Sequence, residues 1–182
     1  MEEEKKQMPE RLWLKILAAV LVCAAAVAGG VFLFRSQMKT PVASFCKALS
    51  TGDGAYIRQC LSEEAWDYCK KTYEQSNPDS FESHVSMLAS GFYDILAKEY
   101  GDNFKISFKI TEKERIKDGA FAEFADTLTE RYGLRKGEIT EACNLTVSTA
   151  CSGDNRSDTS EGEIYTVYQM GEEWYLYIEP VS

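Results

Sequence analysis

Residues 104–111 read Phe104-Lys105-Ile106-Ser107-Phe108-Lys109-Ile110-Thr111, an unbroken alternation of apolar and polar side chains. A period of two puts every second side chain on the same face, so this stretch is a half-buried strand with one wet side. The segment before it keeps a different rhythm. Between Pro78 and Tyr100, residues Phe81, Val85, Leu88, Phe92, Ile95 and Leu96 recur at helical spacing and form one apolar stripe. Asp79 and Glu82 have the spacing of a capping box, and Gly101 is a helix stop. The change of period at Gly101 decides the fold class: helices come first and a sheet follows, which is an α+β pattern.

Toward the carboxyl end, Asp118-Gly119 interrupts the strand. Ala120 to Tyr132 then carries Phe121, Phe124, Ala125 and Leu128 on one side, a helix ended by Gly133. Cys143, Leu145, Val147, Thr149 and Cys151 alternate along a second strand. A polar loop from Ser152 to Gly162 leads to a third strand around Ile164–Met170, and Gly171-Glu172 turns into a last strand, Trp174–Ile178. Turns this tight imply antiparallel hairpins. Toward the amino end, Pro41 suits the first position of a helix whose Val42, Phe45 and Leu49 share a face. Ser50–Gly54 is a turn, and Ala55–Leu61 a short helix. Ser62 caps a third helix through Tyr73, with Glu63 and Glu64 in its favourable first turn.

Before these elements lies ILAAVLVCAAAVAGGVFLF, Ile16 to Phe34, 19 residues without a charge. As a helix it is about 28 Å long, close to the roughly 30 Å hydrocarbon core of a bilayer. Trp13 falls where an interfacial aromatic sits, and Lys15 and Arg35 flank the block. Ala24-Ala25-Ala26 and Ala26-Val27-Ala28 offer the small residues of a signal-peptide cleavage site, but the apolar run continues past both. The block therefore predicts an uncleaved transmembrane helix and a lipid bilayer as first partner. Four bases precede it, and only Arg35, Lys39 and Lys47 follow closely, which favours a cytoplasmic amino terminus. The expected organisation is a short cytoplasmic tail 1–15, a membrane helix 16–34, a juxtamembrane linker 35–40 and an extracytoplasmic α+β domain 41–182.

Charge narrows the partners. The formal net charge is −9, and residues 1–15 are neutral, so all of it falls after residue 15, where 16 bases face 25 acids. Such a domain repels nucleic acid phosphates, and nucleic acid is not an expected partner. The chain's mean hydropathy, −0.31, shows that the membrane block is a local feature.

Candidate chemistry is sparse. The single histidine, His84, lies beside the apolar stripe and has no second ligand or triad member at useful spacing. Cys46, Cys60, Cys69, Cys143 and Cys151 lack a CxxC pair, so no zinc site is expected. Cys143 and Cys151 share one strand, roughly 26 Å apart at 3.3 Å per residue, and cannot bond each other. In an exported domain one bridge is expected, between Cys46 and Cys60 or between Cys60 and Cys69; otherwise all five are small buried apolar residues, free as thiols. The loop Ser152–Glu161 has Arg156 and Thr159 where a calcium loop wants an oxygen ligand and a glycine. Glu138, Glu141, Glu161, Glu163, Glu172 and Glu173 crowd wet strand ends, where paired acids are poor general acid–base groups. Tyr165, Tyr168, Trp174, Tyr175 and Tyr177 form either core plus a wet sheet face or a ligand platform. No catalytic, cofactor or metal residue is assigned.

Two stretches carry a resemblance. PVASFCKALSTGDGAYIRQCLSEEA (41–65) is similar to an opening helix, Gly-Asp turn and short helix, and IYTVYQMGEEWYLY (164–177) to a closing hairpin in which a Gly turn precedes a Trp-Tyr strand. With the order of elements, these resemble uncharacterised membrane-anchored proteins of Gram-positive bacteria with a nuclear-transport-factor-2-like (cystatin-like) domain. The resemblance implies a curved antiparallel sheet wrapped into a cone around a helix, with a concave pocket. It also implies a non-catalytic role in binding a small molecule or an envelope protein, although enzymes such as ketosteroid isomerase share the fold. No catalytic residue of those enzymes maps onto this chain, and fold alone does not fix function.

Overall fold

The computed structural model describes residues 37–135 and 137–178. The tail 1–15, the expected membrane helix Ile16–Phe34 and Arg35-Ser36 lie outside the described residues. Among the described residues no helix is long and apolar enough to cross a membrane. The described residues, Gln37 apart, belong to one compact unit, Met38–Ser182.

This unit is α+β, with a four-stranded antiparallel sheet following the helices. Helix α1 (37–51) is already running at residue 37, so Pro41 lies within it and not at its start. The domain therefore begins before Pro41: Met38, placed in the linker by sequence, is 3 % exposed. Helix α2 (Ala55–Arg58) is a single turn. Helix α3 (Glu63–Glu74) begins as read, with the Ser62 hydroxyl accepting the Ala65 amide proton at 3.2 Å. Helix α4 (Phe81–Tyr100) stops at Gly101, but its cap differs from the expected Asp79–Glu82 box. Ser80 accepts the Ser83 N–H, and Glu82 instead pairs with Lys70 of α3 at 2.7 Å. A serine hydroxyl and an aspartate cap equally well, and the lysine competes for the glutamate.

Strand β1 (Lys105–Arg115) is followed by helix α5 (Asp118–Tyr132), which Gly133 ends at φ 73°, a left-handed conformation that favours glycine. Strands β2 (Ile139–Ser152), β3 (Ser157–Met170) and β4 (Glu173–Leu176) form the meander, and the sheet order is β1-β2-β3-β4. The loop expected at Ser152–Gly162 shrinks to residues 153–156, because Thr149, Ala150, Cys151 and Ser152 pair with Ser160, Thr159, Asp158 and Ser157. Polar side chains do not prevent strand formation where one face is solvated and the backbone pairs fully. Breaks of register between Val147 and Thr149 and between Ile139 and Glu141 bend the hairpin.

The two faces of the sheet are covered differently. One carries Ala142 opposite Tyr168, and Tyr168 opposite Tyr175. Its core joins Leu61, Ala65 and Trp66 to Ala125, Leu128 and Tyr132 of α5. Tyr168 is fully buried there and donates its hydroxyl to Ser62 Oγ at 3.1 Å. The other face carries Cys143 opposite Val167, and Leu145 opposite Tyr165, with α1 against it through Phe45 and Tyr165, ring centroids 6.1 Å apart.

Candidate functional site

Helix α4 does not bury the stripe that its sequence displays. Val85, Ala89 and Tyr100 are buried, whereas Leu88 is 45 % exposed, Phe92 52 %, Ile95 61 % and Met87 62 %. Its inner side meets the turn between α1 and α2 closely. A Cβ on Gly54 would lie 2.9 Å from the Ser86 Cα, and one on Gly52 3.2 Å from the Tyr93 Cβ. Gly52 also has φ 69°. This turn seats α4, and the outer side of the contact stays open as a groove of about 390 Å³. Phe45 and Leu49 of α1, Ile57 of α2, and Val85, Leu88, Phe92 and Ile95 of α4 line it, with Ala89 and Leu96. The volume is that of a small-molecule site, and no lining residue has a polar side chain. Such a surface can recognise hydrocarbon and shape. It supplies no acid, base, nucleophile or ligand atom.

The remaining candidates fall elsewhere. His84 stacks on Tyr73, centroids 4.4 Å apart, on the α3 side of α4. The aromatic group is divided between the two sheet faces and does not form one platform. Tyr168 and Tyr175 lie on one face, while Trp174 shares the other with Leu176 and Tyr165. Two of the phenols are engaged: Tyr177 Oη takes a hydrogen bond from Arg131 at 2.7 Å, and Tyr175 donates to Glu173.

The glutamates are likewise separated. Glu141 lies 3.6 Å from both Lys113 and Arg115. Glu138 caps the turn at Arg135. Glu163 is the one that approaches catalytic geometry, since its carboxylate accepts the Tyr165 hydroxyl at 3.0 Å and the Thr149 hydroxyl at 3.2 Å. Both donors are thereby spent on the carboxylate, and Glu163 lines neither the apolar groove nor the two polar clefts beside α5. Burial, then the hydrogen bond to Glu163, raises the Tyr165 hydroxyl above its ordinary range, so it stays protonated at neutral pH.

All five described cysteines are free thiols. Burial pushes Cys46 up to about 11, Glu163 adding to the effect, and Cys60 up to about 12. Thiols held so high are weak nucleophiles at neutral pH. Among the described residues no group of three or more His, Cys, Asp or Glu side chains could hold a metal ion.

No protein-family model, curated protein or solved structure matches this chain. The sequence shows Leu88, Phe92, Ile95 and Leu96 as one apolar stripe and Phe45 and Leu49 on one face of the first helix, but not that the two line an open groove. A stripe at helical spacing specifies a dry face, yet it does not say whether the chain has enough mass to cover that face. The signal that was available is length: α4 extends for about 30 Å at 1.5 Å per residue, longer than α2 and α3.

Proposed function

We propose that this protein is a single-pass membrane-anchored, extracytoplasmic binding protein whose non-catalytic α+β domain captures an apolar ligand or a partner's apolar side chains in the groove between α1, α2 and α4. The groove carries the reading. A large apolar patch left open on a monomeric domain is a recognition surface in most soluble proteins, because water-exposed hydrocarbon otherwise promotes aggregation. The anchor rests on the uninterrupted Ile16–Phe34 block, and the outward orientation on the distribution of lysine and arginine. The order of helices, strand, crossing helix and three-stranded meander supports assigning the domain to the nuclear-transport-factor-2-like cone. The pairing of β1 with β2 across α5 supports it too.

The compact unit Met38–Ser182 without its apolar leader, titrated with an environment-sensitive naphthalene dye, tests the groove. Saturable binding should occur at about one dye per chain and should disappear in the double variant Leu88→Asp, Ile95→Asp with the fold intact by circular dichroism. Dye binding that the double variant leaves unchanged would remove the groove from the account. Location is tested separately on intact cells. The half-buried Cys69 and Cys151 should react with a membrane-impermeant maleimide without opening the membrane, and labelling only after lysis would reverse the orientation.

A further inference from the structure

The groove is built on α1 and α2, and each of these helices brings a buried cysteine. Cys46 follows the groove residue Phe45 on α1, and Cys60 follows α2 by two residues, three beyond the groove residue Ile57. Cys60 is fully buried and packs against α1 itself. Its thiol donates to the Pro41 carbonyl at 3.3 Å and to the Tyr56 carbonyl at 3.1 Å. In an α-helix a carbonyl points along the axis toward the amide four residues on, so the Pro41 oxygen faces Phe45, the neighbour of Cys46. The Cys60 sulfur thus sits against the turn of α1 that leads into Cys46, near enough for the Cys46 charge to act on it.

The alternative partner lies elsewhere. Cys69 is on α3, close enough to Tyr132 and Tyr168 for its charge to act on both, on the sheet face opposite α1. Cys143 and Cys151 are held apart on β2, paired with Val167 and Asp158.

We propose that Cys46 and Cys60 form a disulfide that closes the loop joining α1 to α2 and fixes the mouth of the groove, while Cys69, Cys143 and Cys151 remain thiols. The reaction is thiol–disulfide exchange with a small disulfide donor. One cysteine thiolate attacks a donor sulfur and forms a mixed disulfide, releasing one donor thiol. The second cysteine thiolate then displaces the other donor thiolate, which takes up a proton. Two electrons pass to the donor, and the two cysteine protons leave with the released thiols. Closure requires the Cys60 sulfur to leave the Pro41 and Tyr56 carbonyls, and its high pKa makes exchange slow once the fold is complete. The bridge is therefore made during folding. Its chemistry is independent of whether the groove is occupied, and its presence in cells rests on the extracytoplasmic reading above.

The full-length chain, unfolded and refolded in detergent with oxidised and reduced glutathione, should yield one cross-linked peptide pair joining Cys46 to Cys60. The other cysteines should be alkylated. Closing a loop of this size should raise the Tm by about 5–10 °C over the reduced chain, a shift absent in Cys60→Ser and retained in Cys69→Ser.

Alkaline stability gives a second readout. The folded-state pKa of each thiol lies above its unfolded value near 9, so the folded chain binds more protons between about pH 9 and 12, and stability falls as pH rises through that window. Bridging removes both titrations and should flatten the fall. Alkylation of all five described cysteines after oxidative refolding, or a Cys60–Cys69 peptide, would overturn the proposal. A bridge formed in vitro but missing from intact cells would instead count against the extracytoplasmic location and leave the pairing standing.

Discussion

Helices α4 and α5 are both amphipathic, and the fold uses them in opposite ways. Helix α5 puts Ala125, Leu128 and Tyr132 into the core against α3 and the sheet, and Leu128 is fully buried. Helix α4 is five residues longer and buries only Val85, Ala89 and Tyr100, leaving four large apolar side chains in water. The reason is position along the chain. Helix α5 links β1 to β2, which pair with each other, so it is confined to the sheet. Helix α4 precedes the sheet and is held along one side, by the α1–α2 turn against Ser86 and Tyr93 and by the β2–β3 hairpin tip at Tyr100. One apolar face serves stability and the other is free to serve recognition.

Truncation on the two helices tests that contrast most strongly. Leu128→Ala leaves a cavity in the filled core and should cost about 3–4 kcal/mol. Ile95→Ala removes a side chain that is mostly in water already and should cost less than about 1 kcal/mol. Urea unfolding of the 38–182 unit followed by circular dichroism measures both. Equal losses would mean that the α4 face is covered in the native protein, and the contrast would fail.

Much of this architecture was legible in the sequence. The switch from Leu96 and Tyr100 at helical spacing to Phe104, Ile106 and Phe108 at a period of two gave the order of helices and sheet, and the Ser62 cap, the Gly101 stop and the Gly171 turn all lie where their chemistry predicts. Cross-strand information was hidden. Ser157 to Ser160 look like a loop until their partners on β2 are known, since backbone pairing leaves little mark on side-chain polarity. The division of the tyrosines between two faces depends on register for the same reason. The groove could not be read as a groove, because periodicity along α4 is silent about what α1 and α3 leave uncovered.

Ser62 sharpens the comparison from the core side. Its oxygen caps α3 and accepts the Tyr168 hydroxyl within a site that is 1 % exposed. Ser62→Ala loses the cap and strands a buried phenol, for an expected cost of about 2–3 kcal/mol in the same urea assay. Adding Tyr168→Phe should recover part of that loss, since the stranded donor is then gone. A double variant as unstable as the sum of the two singles would show that the two groups do not act together.

The smallest expected effect lies where the far end of α4 meets the sheet. Arg156 at the hairpin tip pairs with Glu99 and with Asp158, and its guanidinium lies 5.4 Å from the Tyr100 ring centroid. Tyr100 in turn donates to Asp158 at 3.0 Å. The acidic tip thus holds a cation supplied by the chain itself. Yet the Arg156 side chain is 49 % exposed, and ion pairs so accessible to water contribute little. The backbone is the stronger tie: the Asn155 amide donates to the Tyr100 carbonyl at 2.9 Å, and a Cβ on Gly153 would collide with that same carbonyl. Arg156→Ala should therefore cost less than about 1 kcal/mol, and the difference should shrink in 1 M salt, where exposed charges are screened within about 3 Å. Gly153→Ala should cost more than Arg156→Ala at either salt, because the backbone approach leaves no room for a methyl group. Were the arginine variant the weaker of the two, charge and not close backbone packing would be what fixes α4 to the hairpin, and the open face of that helix would depend on ionic strength.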